Sequence, residues 1–156
     1  MQKILKGVFP DYFPPDFCEC FLPEGAKENE ISLYRIGKYG NNDRKAFIDS
    51  YGEVYLGIRK MRNKDKWLLE NKNNISMLST SFFEKYEDIK YVFDVTLKSL
   101  PLKIILFGKI NNKDGFSQPT RERERNREDT HVDVWLYKHA TPEINFTVCK
   151  DGELNG

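Results

Sequence analysis

The sequence contains no run of apolar residues long enough to cross a membrane. A membrane-spanning helix needs about 18 or more consecutive apolar residues, and every apolar stretch of this 156-residue chain is shorter. The start of the chain, residues 1–6, also lacks the apolar centre of a signal peptide, and prolines follow soon after. We therefore predict a cytoplasmic protein without a membrane segment.

Histidine and cysteine are scarce. The two histidines, His131 and His139, are too few for a metal site built mainly from imidazole rings, and we expect no metal. The three cysteines are an odd number, and one residue separates Cys18 from Cys20, which is too few for the usual zinc knuckle. We interpret Cys18, Cys20 and Cys149 as buried free thiols, because free cysteine behaves as a small hydrophobe.

The chain also lacks an excess of charge of one sign. Its 25 basic and 24 acidic residues give a formal net charge of +1. Domains whose main role is to coat nucleic acid usually carry a basic excess, so this role is disfavoured. One local cluster leaves two interpretations open, a phosphate contact or the solvated end of a helix. It consists of Arg59, Lys60, Arg62, Lys64 and Lys66.

The composition predicts one small folded domain. Hydrophobic residues make up 39% of the chain and aromatic residues 13%, which is enough to build a core. Residues 1–28 combine prolines with many aromatic residues, and proline denies the backbone ladder hydrogen bonds. We predict an extended aromatic and proline-rich N-terminal arm over residues 1–28, an α+β core over residues 31–150 and a free tail over residues 151–156.

Two helices are predicted in the core. Asp43 has the character of an N-cap, and apolar residues recur after it at helical spacing, which predicts a helix to about Met61. These residues are Phe47, Tyr51, Tyr55 and Ile58. Ser81 and Glu84 have the spacing of a capping box, in which a hydroxyl and a carboxylate each bond a backbone amide. They predict a second helix, which Pro101 ends.

Strands are predicted around these helices. Alternation of apolar and polar residues over 31–36 predicts a strand that ends at Gly37. The apolar run over residues 102–107 predicts a buried strand that ends at Gly108, and residues 111–119 are predicted as a loop. Further strands are predicted over residues 131–137 and, at an edge of the sheet, over residues 144–148. The fold class is therefore α+β, with a mixed or antiparallel sheet and two packed helices.

A charged stretch leads into the predicted strand at residues 131–137. Four arginines alternate with acidic residues over 121–129, so this stretch is formally neutral. It could present carboxylates to a pocket, bind an anionic ligand through guanidinium groups, or form a solvated connection. Within the strand, His131 and Asp133 share one side because side chains two residues apart face the same way. They are interpreted as a base with its orienting carboxylate, as two metal ligands, or as polar side chains on a wetter face.

No GxSxG, Walker A, GxGxxG or HExxH motif occurs. Three short segments nevertheless follow one another along the chain in a recognisable order. They are Tyr34-Arg35 on a predicted strand, Ser79-Thr80-Ser81, and Glu122-Arg123-Glu124 before a later strand. This order resembles the Arg…Ser-Thr-Ser…Glu-x-Glu plan of the ADP-ribosyltransferases. The resemblance implies an enzyme that uses NAD as a substrate.

The resemblance also implies roles for individual residues. Arg35, together with Tyr34, would hold the NAD phosphates, and Ser79, Thr80 and Ser81 would brace the nicotinamide pocket. Glu124 would stabilise an oxocarbenium-like transition state or activate the acceptor. The upstream partner would be Glu122 or Gln118. We expect Arg35, Ser79 and Glu124 to line one cleft, and Glu124→Gln to abolish NAD turnover.

Three functions follow from these patterns. The first is a small NAD-using transferase-like domain, in the setting of a toxin or a defence effector. The second is a non-catalytic accessory subunit or adaptor that binds a protein partner through residues 1–25 or 121–131. The third is a nucleic-acid-binding or nuclease domain that uses His131, Asp133 and the basic cluster of residues 59–66.

Overall fold

The computed structural model describes residues 8–14, 17–58 and 75–149. Within these ranges six strands form one antiparallel sheet in the order β4-β5-β2-β1-β3-β6. The strands are β1 (Ile31–Gly37), β2 (Thr80–Phe83), β3 (Ile104–Ile110), β4 (Gly115–Pro119), β5 (His131–Leu136) and β6 (Phe146–Cys149). Two helices, α1 (Ser50–Tyr55) and α2 (Tyr86–Tyr91), accompany them. The predicted α+β class is confirmed, and the sheet is antiparallel.

The sheet has apolar clusters on both faces. Alternation along β1 directs Leu33 into the larger cluster and Tyr34 and Ile36 into the smaller one. The larger cluster includes Phe47 before α1 and the fully buried Trp135 of β5. In the smaller cluster, side chains of α2 and of the turn after it cover the sheet. Each large apolar side chain buried in this way contributes about 1.5–3 kcal/mol.

Over residues 8–14 and 17–28 the N-terminal arm docks through its aromatic side chains, as predicted, but it is not extended. Phe9 and Phe13 are buried in the larger cluster. In its described residues the arm folds into successive turns, and the carbonyls of Pro10 and Pro23 each accept from the amide three residues further on. The amide of Phe13 donates to the carbonyl of Pro10 at 3.0 Å, and a 3₁₀ turn spans Glu19–Phe21.

The predicted helix after Asp43 is two short segments. Asp43 is an N-cap, accepting from the amide of Lys45 at 3.0 Å, but it caps only a 3₁₀ turn over Arg44–Phe47. Ile48 is extended, and Asp49 then caps α1 by accepting from the amide of Gly52 at 2.8 Å. The prediction of a single long helix is therefore wrong. The carboxylate of Asp49 caps a second helical segment, which is separate from the first. Residues 59–61 lie outside the described ranges.

The predicted capping box of Ser81 and Glu84 is also wrong. Ser81 lies within β2, opposite Asp133 of β5, and α2 begins only at Tyr86. Pairing with β5 outweighs the local capping pattern. The amide of Lys85 finds an acceptor in the Thr130 hydroxyl at 3.0 Å instead. Past α2 the chain continues as a π-helical turn over Val92–Thr96.

Three further expectations change. Residues 115–119, predicted as loop, form β4 because they pair with β5. β3 continues past Gly108, where a side chain would collide with the backbone at the start of β6: a Cβ there would lie 2.0 Å from the carbonyl oxygen of Asn145, just before β6, and 2.7 Å from the Cα of Phe146. Cys18 and Cys20 form a disulfide rather than two buried thiols. Cys149 is not part of a disulfide, and it is half-buried.

No helix in the described part of the chain has the length and apolar content needed to cross a membrane. The basic cluster of residues 59–66 and the predicted tail of residues 151–156 lie outside the part of the chain that the structure describes.

Candidate functional site

A cleft lies where β1 and β2 meet. The two strands register through a single residue pair, Tyr34 and Phe83. The cleft has a volume of about 180 Å³ and is roofed by residues of α2 and of the turn that follows it. Its polar lining consists of Arg35, Lys38, Asp49, Ser50, Glu53, Ser79 and Ser81. Two strands and α1 thus bring charged and hydroxyl side chains to one concave site.

Arg35 forms one wall of this cleft. Its guanidinium donates from Nε to the Ala46 carbonyl at 3.0 Å, from Nη1 to the Ser81 carbonyl at 3.0 Å and from Nη2 to the Ile48 carbonyl at 3.5 Å. The bond to Ser81 joins β1 to β2. A guanidinium has five N–H groups, so two of them have no acceptor among the residues that the structure describes.

The surroundings of Arg35 shift its pKa in opposite directions. Burial lowers the pKa of Arg35, while the nearby carboxylates of Glu53 and Asp49 raise it. Burial is the larger effect, although an arginine keeps its proton in proteins. The guanidinium also lies 5.9 Å from the centre of the Phe82 ring, which favours a cation there.

Two carboxylates of the α1 region line the same cleft. Asp49 accepts from the amide of Gly52 and from the hydroxyl of Tyr12, and it is 5% exposed. Burial raises the pKa of Asp49 to about 7. Glu53 forms an ion pair with Lys38 at 2.9 Å. The cleft therefore combines cationic and anionic groups on one side with apolar side chains of the strands and of the α2 region on the other.

Asp133 of β5 lies directly behind Ser79. The Ser79 hydroxyl donates to Asp133 Oδ1 at 2.6 Å. On the other carboxylate oxygen, Oδ2, the Thr120 hydroxyl donates at 2.7 Å and Arg123 Nη2 donates at 2.6 Å. The carboxylate is 2% exposed and has three donors, as a buried charge requires. Its link to the cleft runs through Ser79.

Arg123 is held by four different groups. Besides Asp133, it bonds Gln118 Oε1 at 2.8 Å and the Ser76 hydroxyl at 3.1 Å, and its guanidinium lies 5.7 Å from the centre of the Trp135 ring. Gln118, predicted as a site residue, is 1% exposed and outside the lining of the cleft. Its place in the structure is to hold Arg123.

His131 joins the same network. Its Nδ1 lies 2.5 Å from the Thr120 hydroxyl oxygen, and its ring contacts Phe83 edge-on at 5.2 Å between centroids. Burial lowers the pKa of His131, while the neighbouring Asp133 raises it. The side chains of His131 and Asp133 are both buried, and neither lies on a wetter face of the sheet. Their strand, β5, lies inside the sheet between β4 and β2.

Glu122 and Glu124 lie elsewhere. Both are exposed, on and just after the 3₁₀ turn Thr120–Glu122. Glu124 borders a separate shallow depression with residues 125–127, and Arg127 lies 4.0 Å from its carboxylate. The expectation that Arg35, Ser79 and Glu124 line one cleft is wrong for Glu124. Charged side chains of this turn stay in water, where their solvation is strongest.

The remaining predicted residues divide between the two faces of the sheet. Ser81 lines the cleft with Arg35 and Ser79. Thr80 points to the face of β2 opposite Ser81 and donates to the Phe47 carbonyl at 2.8 Å. The Tyr34 ring packs on Phe107, 4.6 Å between centroids, and does not border the cleft.

Several residues of the site were missed from the sequence, among them Asp49, Glu53, Thr120 and Arg123. Asp49 precedes Ser50 and an amphipathic turn, and this N-cap signal was available. Arg123 cannot be told from the neighbouring arginines of its charged run. Thr120 carries no sequence signal at all, because only the return of the chain to β5 brings it against Asp133.

Comparison with protein-family models, with curated proteins and with solved structures finds no match for this chain. Within residues 8–14, 17–58 and 75–149, no group of three or more histidine, cysteine, aspartate or glutamate side chains is arranged to hold a metal ion.

Proposed function

We propose that this domain binds NAD in the cleft between β1 and β2 and breaks its nicotinamide–ribose bond, as an ADP-ribosyltransferase-like enzyme. One observation carries the proposal. Arg35, Ser79 and Ser81 line a single cleft, and a buried carboxylate, Asp133, is hydrogen-bonded to Ser79 at 2.6 Å. In this proposal Asp133 takes the place that the sequence resemblance implies for Glu124.

Arg35 is suited to a phosphate. It lines the cleft, and its three bonds to carbonyl oxygens leave two N–H groups in a fixed direction. Charge-assisted bonds from a guanidinium to phosphate oxygens are short and strong. The backbone carbonyls hold the guanidinium in advance, so little side-chain freedom is lost when a ligand binds.

The size of the cleft limits what enters it. Its volume of about 180 Å³ is below the roughly 300–1,000 Å³ of pockets that enclose a drug-sized ligand. The cleft therefore suits one end of a dinucleotide, with the rest lying across the surface. We assign the enclosed end to the nicotinamide and its ribose, near Ser79.

The chemistry follows from where the negative charge lies. When the bond between nicotinamide and ribose breaks, its electron pair leaves with the nicotinamide and positive charge develops on the ribose carbon. A fixed carboxylate near that carbon stabilises the charge in a site that excludes water. Water, or a nucleophilic group of an acceptor, then attacks the carbon and releases a proton to solvent.

Asp133 is suited to an electrostatic role rather than a nucleophilic one. It is 2% exposed and reaches the cleft through the Ser79 hydroxyl. Its three donors hold it in one orientation, so no reorganisation is needed as the reaction proceeds.

Release of nicotinamide from NAD by the wild-type protein, followed by chromatography, tests the proposal. We expect turnover and an NAD-dependent rise in melting temperature, because a ligand that binds only the folded state stabilises it. NADH, whose nicotinamide ring is uncharged, is the matched control and should give no nicotinamide. The absence of both turnover and a thermal shift from wild-type protein overturns the proposal.

A second candidate is a protein-binding accessory module. Beside the N-terminal arm, an apolar depression of about 320 Å³ is lined by Pro14, Phe17, Phe21 and Ile75. Phe21 is 57% exposed there and stacks on Phe17. An exposed aromatic ring beside an apolar depression is typical of an interface anchor.

Deleting residues 1–25 is a poor test of this second candidate, because Phe9 and Phe13 belong to the core. Phe21→Ser removes the exposed ring while leaving these two in place. If the module binds a partner, a stoichiometric partner captured by wild-type protein should be absent with Phe21→Ser. Equal capture by both proteins, or by neither, contradicts this candidate.

A further inference from the structure

A single hydroxyl connects the two polar side chains of β5. Thr120 Oγ1 lies 2.7 Å from Asp133 Oδ2 and 2.5 Å from His131 Nδ1. Thr120 is 1% exposed, so water does not compete for these bonds. Two neighbours at hydrogen-bond distance share one hydroxyl hydrogen, and its position determines which ring nitrogen of His131 carries a proton.

The hydrogen of Thr120 belongs to the bond with Asp133. The carboxylate of Asp133 is ion-paired with Arg123 at 2.6 Å, and an ionised carboxylate only accepts hydrogen bonds. Thr120 must therefore donate to Oδ2. Its oxygen is left as an acceptor toward His131, which it meets at 2.5 Å. The only group on that side that can donate is an N–H at Nδ1.

We infer that Thr120 is a positioning residue that fixes His131 as the neutral Nδ1–H tautomer, so that the lone pair of the ring is at Nε2. The edge-on contact with Phe83, at 5.2 Å between centroids, limits the orientations of the ring. Among the residues that the structure describes, none bonds Nε2. A base with its tautomer set by the hydrogen bond at the other nitrogen is a recurrent arrangement.

The ring is neutral above its usual titration range. Burial lowers the pKa of His131; Asp133, Asp129 and Glu124 raise it, and Arg127 lowers it further. A measurement at pH 8 therefore observes the neutral ring, for which the two tautomers give different nitrogen resonances.

The test is a two-bond proton–nitrogen correlation spectrum of ¹⁵N-labelled protein at pH 8. His139 is exposed, and His139→Gln leaves His131 as the single histidine and assigns its signals. We expect a protonated Nδ1 and an unprotonated Nε2. An Nε2–H tautomer, or a doubly protonated ring, overturns the inference.

Variants at position 120 test the role of the hydroxyl. Thr120→Ser keeps the hydroxyl and should keep the Nδ1–H pattern. Thr120→Val removes it at similar volume and should lose that pattern. Thr120→Ala removes it without adding a methyl group, and serves if the valine does not fold. An Nδ1–H pattern retained in a folded hydroxyl-free variant overturns the assignment to Thr120.

The spectrum is independent of NAD turnover, so the two proposals can fail separately. An Nδ1–H tautomer in a protein that releases no nicotinamide leaves the inference standing and removes the proposed function. Turnover together with an Nε2–H tautomer leaves the proposed function standing and removes the inference about Thr120.

Discussion

The Ser79 hydroxyl and the Asp133 carboxylate are joined by a hydrogen bond of 2.6 Å, between the start of β2 and the interior of β5. Ser79 lines the cleft, and Asp133 is buried behind it. This contact connects the arginine-lined cleft to a buried anion.

Ser79→Ala should lower the free energy of unfolding by about 1–3 kcal/mol, because it leaves a buried carboxylate oxygen without its donor. Urea denaturation measures this loss. Ser81→Ala is the matched control, since the Ser81 hydroxyl makes no such bond to Asp133 and its change should stay within about 0.5 kcal/mol. Equal effects of the two variants would contradict the account of Ser79.

Arg123→Met should destabilise the protein by about 3–5 kcal/mol, because removing one partner leaves the other charge buried and unpaired. Arg123 is 20% exposed in its side chain and Asp133 is 3% exposed, so solvent screens the pair little. Arg125→Met, an exposed position in the same charged run, is the control. If the two variants unfold at the same urea concentration, Arg123 has no special structural role.

Asp49 should make the protein less stable as the pH rises from about 4 to about 7. Burial raises the pKa of Asp49 to about 7 in the folded state, against about 4 in the unfolded chain. The folded state therefore binds more protons in this interval. The contribution of Asp49 is fully present below about pH 4 and is lost as the pH rises through about 7.

The slope that Asp49 adds is at most about 1.4 kcal/mol per pH unit. Chemical denaturation at a series of pH values measures it. Asp49→Asn should flatten the profile between pH 4 and 7, while Asp43→Asn, at an exposed cap, should not. A profile that keeps its slope in Asp49→Asn shows that another group is responsible.

The strands were the most predictable part of the fold. Alternation marks β1, and a β-branched and aromatic run marks β5, because each pattern reflects burial of the strand itself. β4 was missed because its glycine, asparagine and proline surroundings are those of a turn, and only pairing with β5 makes it a strand. Ser81 is a second example: its local pattern favours a helix cap, but pairing with β5 places it in a strand.

The site was predictable only in part. Arg35, Ser79 and Ser81 follow from the order of three short patches, and the cleft contains all of them. The sequence could not show which carboxylate lies beside Ser79, because residues 120–130 leave the sheet and return to it. Spacing along the chain does not show whether Glu124 or Asp133 comes back to Ser79. His131 and Asp133 were identified from their shared strand face, but their link to Ser79 depends on the register of β2 and β5.

The most direct test compares nicotinamide release from NAD by Asp133→Asn and Glu124→Gln. Each change removes one negative charge at similar volume, and circular dichroism confirms that each variant is folded. If Asp133 supplies the stabilising charge, Asp133→Asn should be slower by about 10²–10³, and Glu124→Gln should react at the wild-type rate. A folded Asp133→Asn that retains full activity, or an inactive Glu124→Gln, would contradict the account.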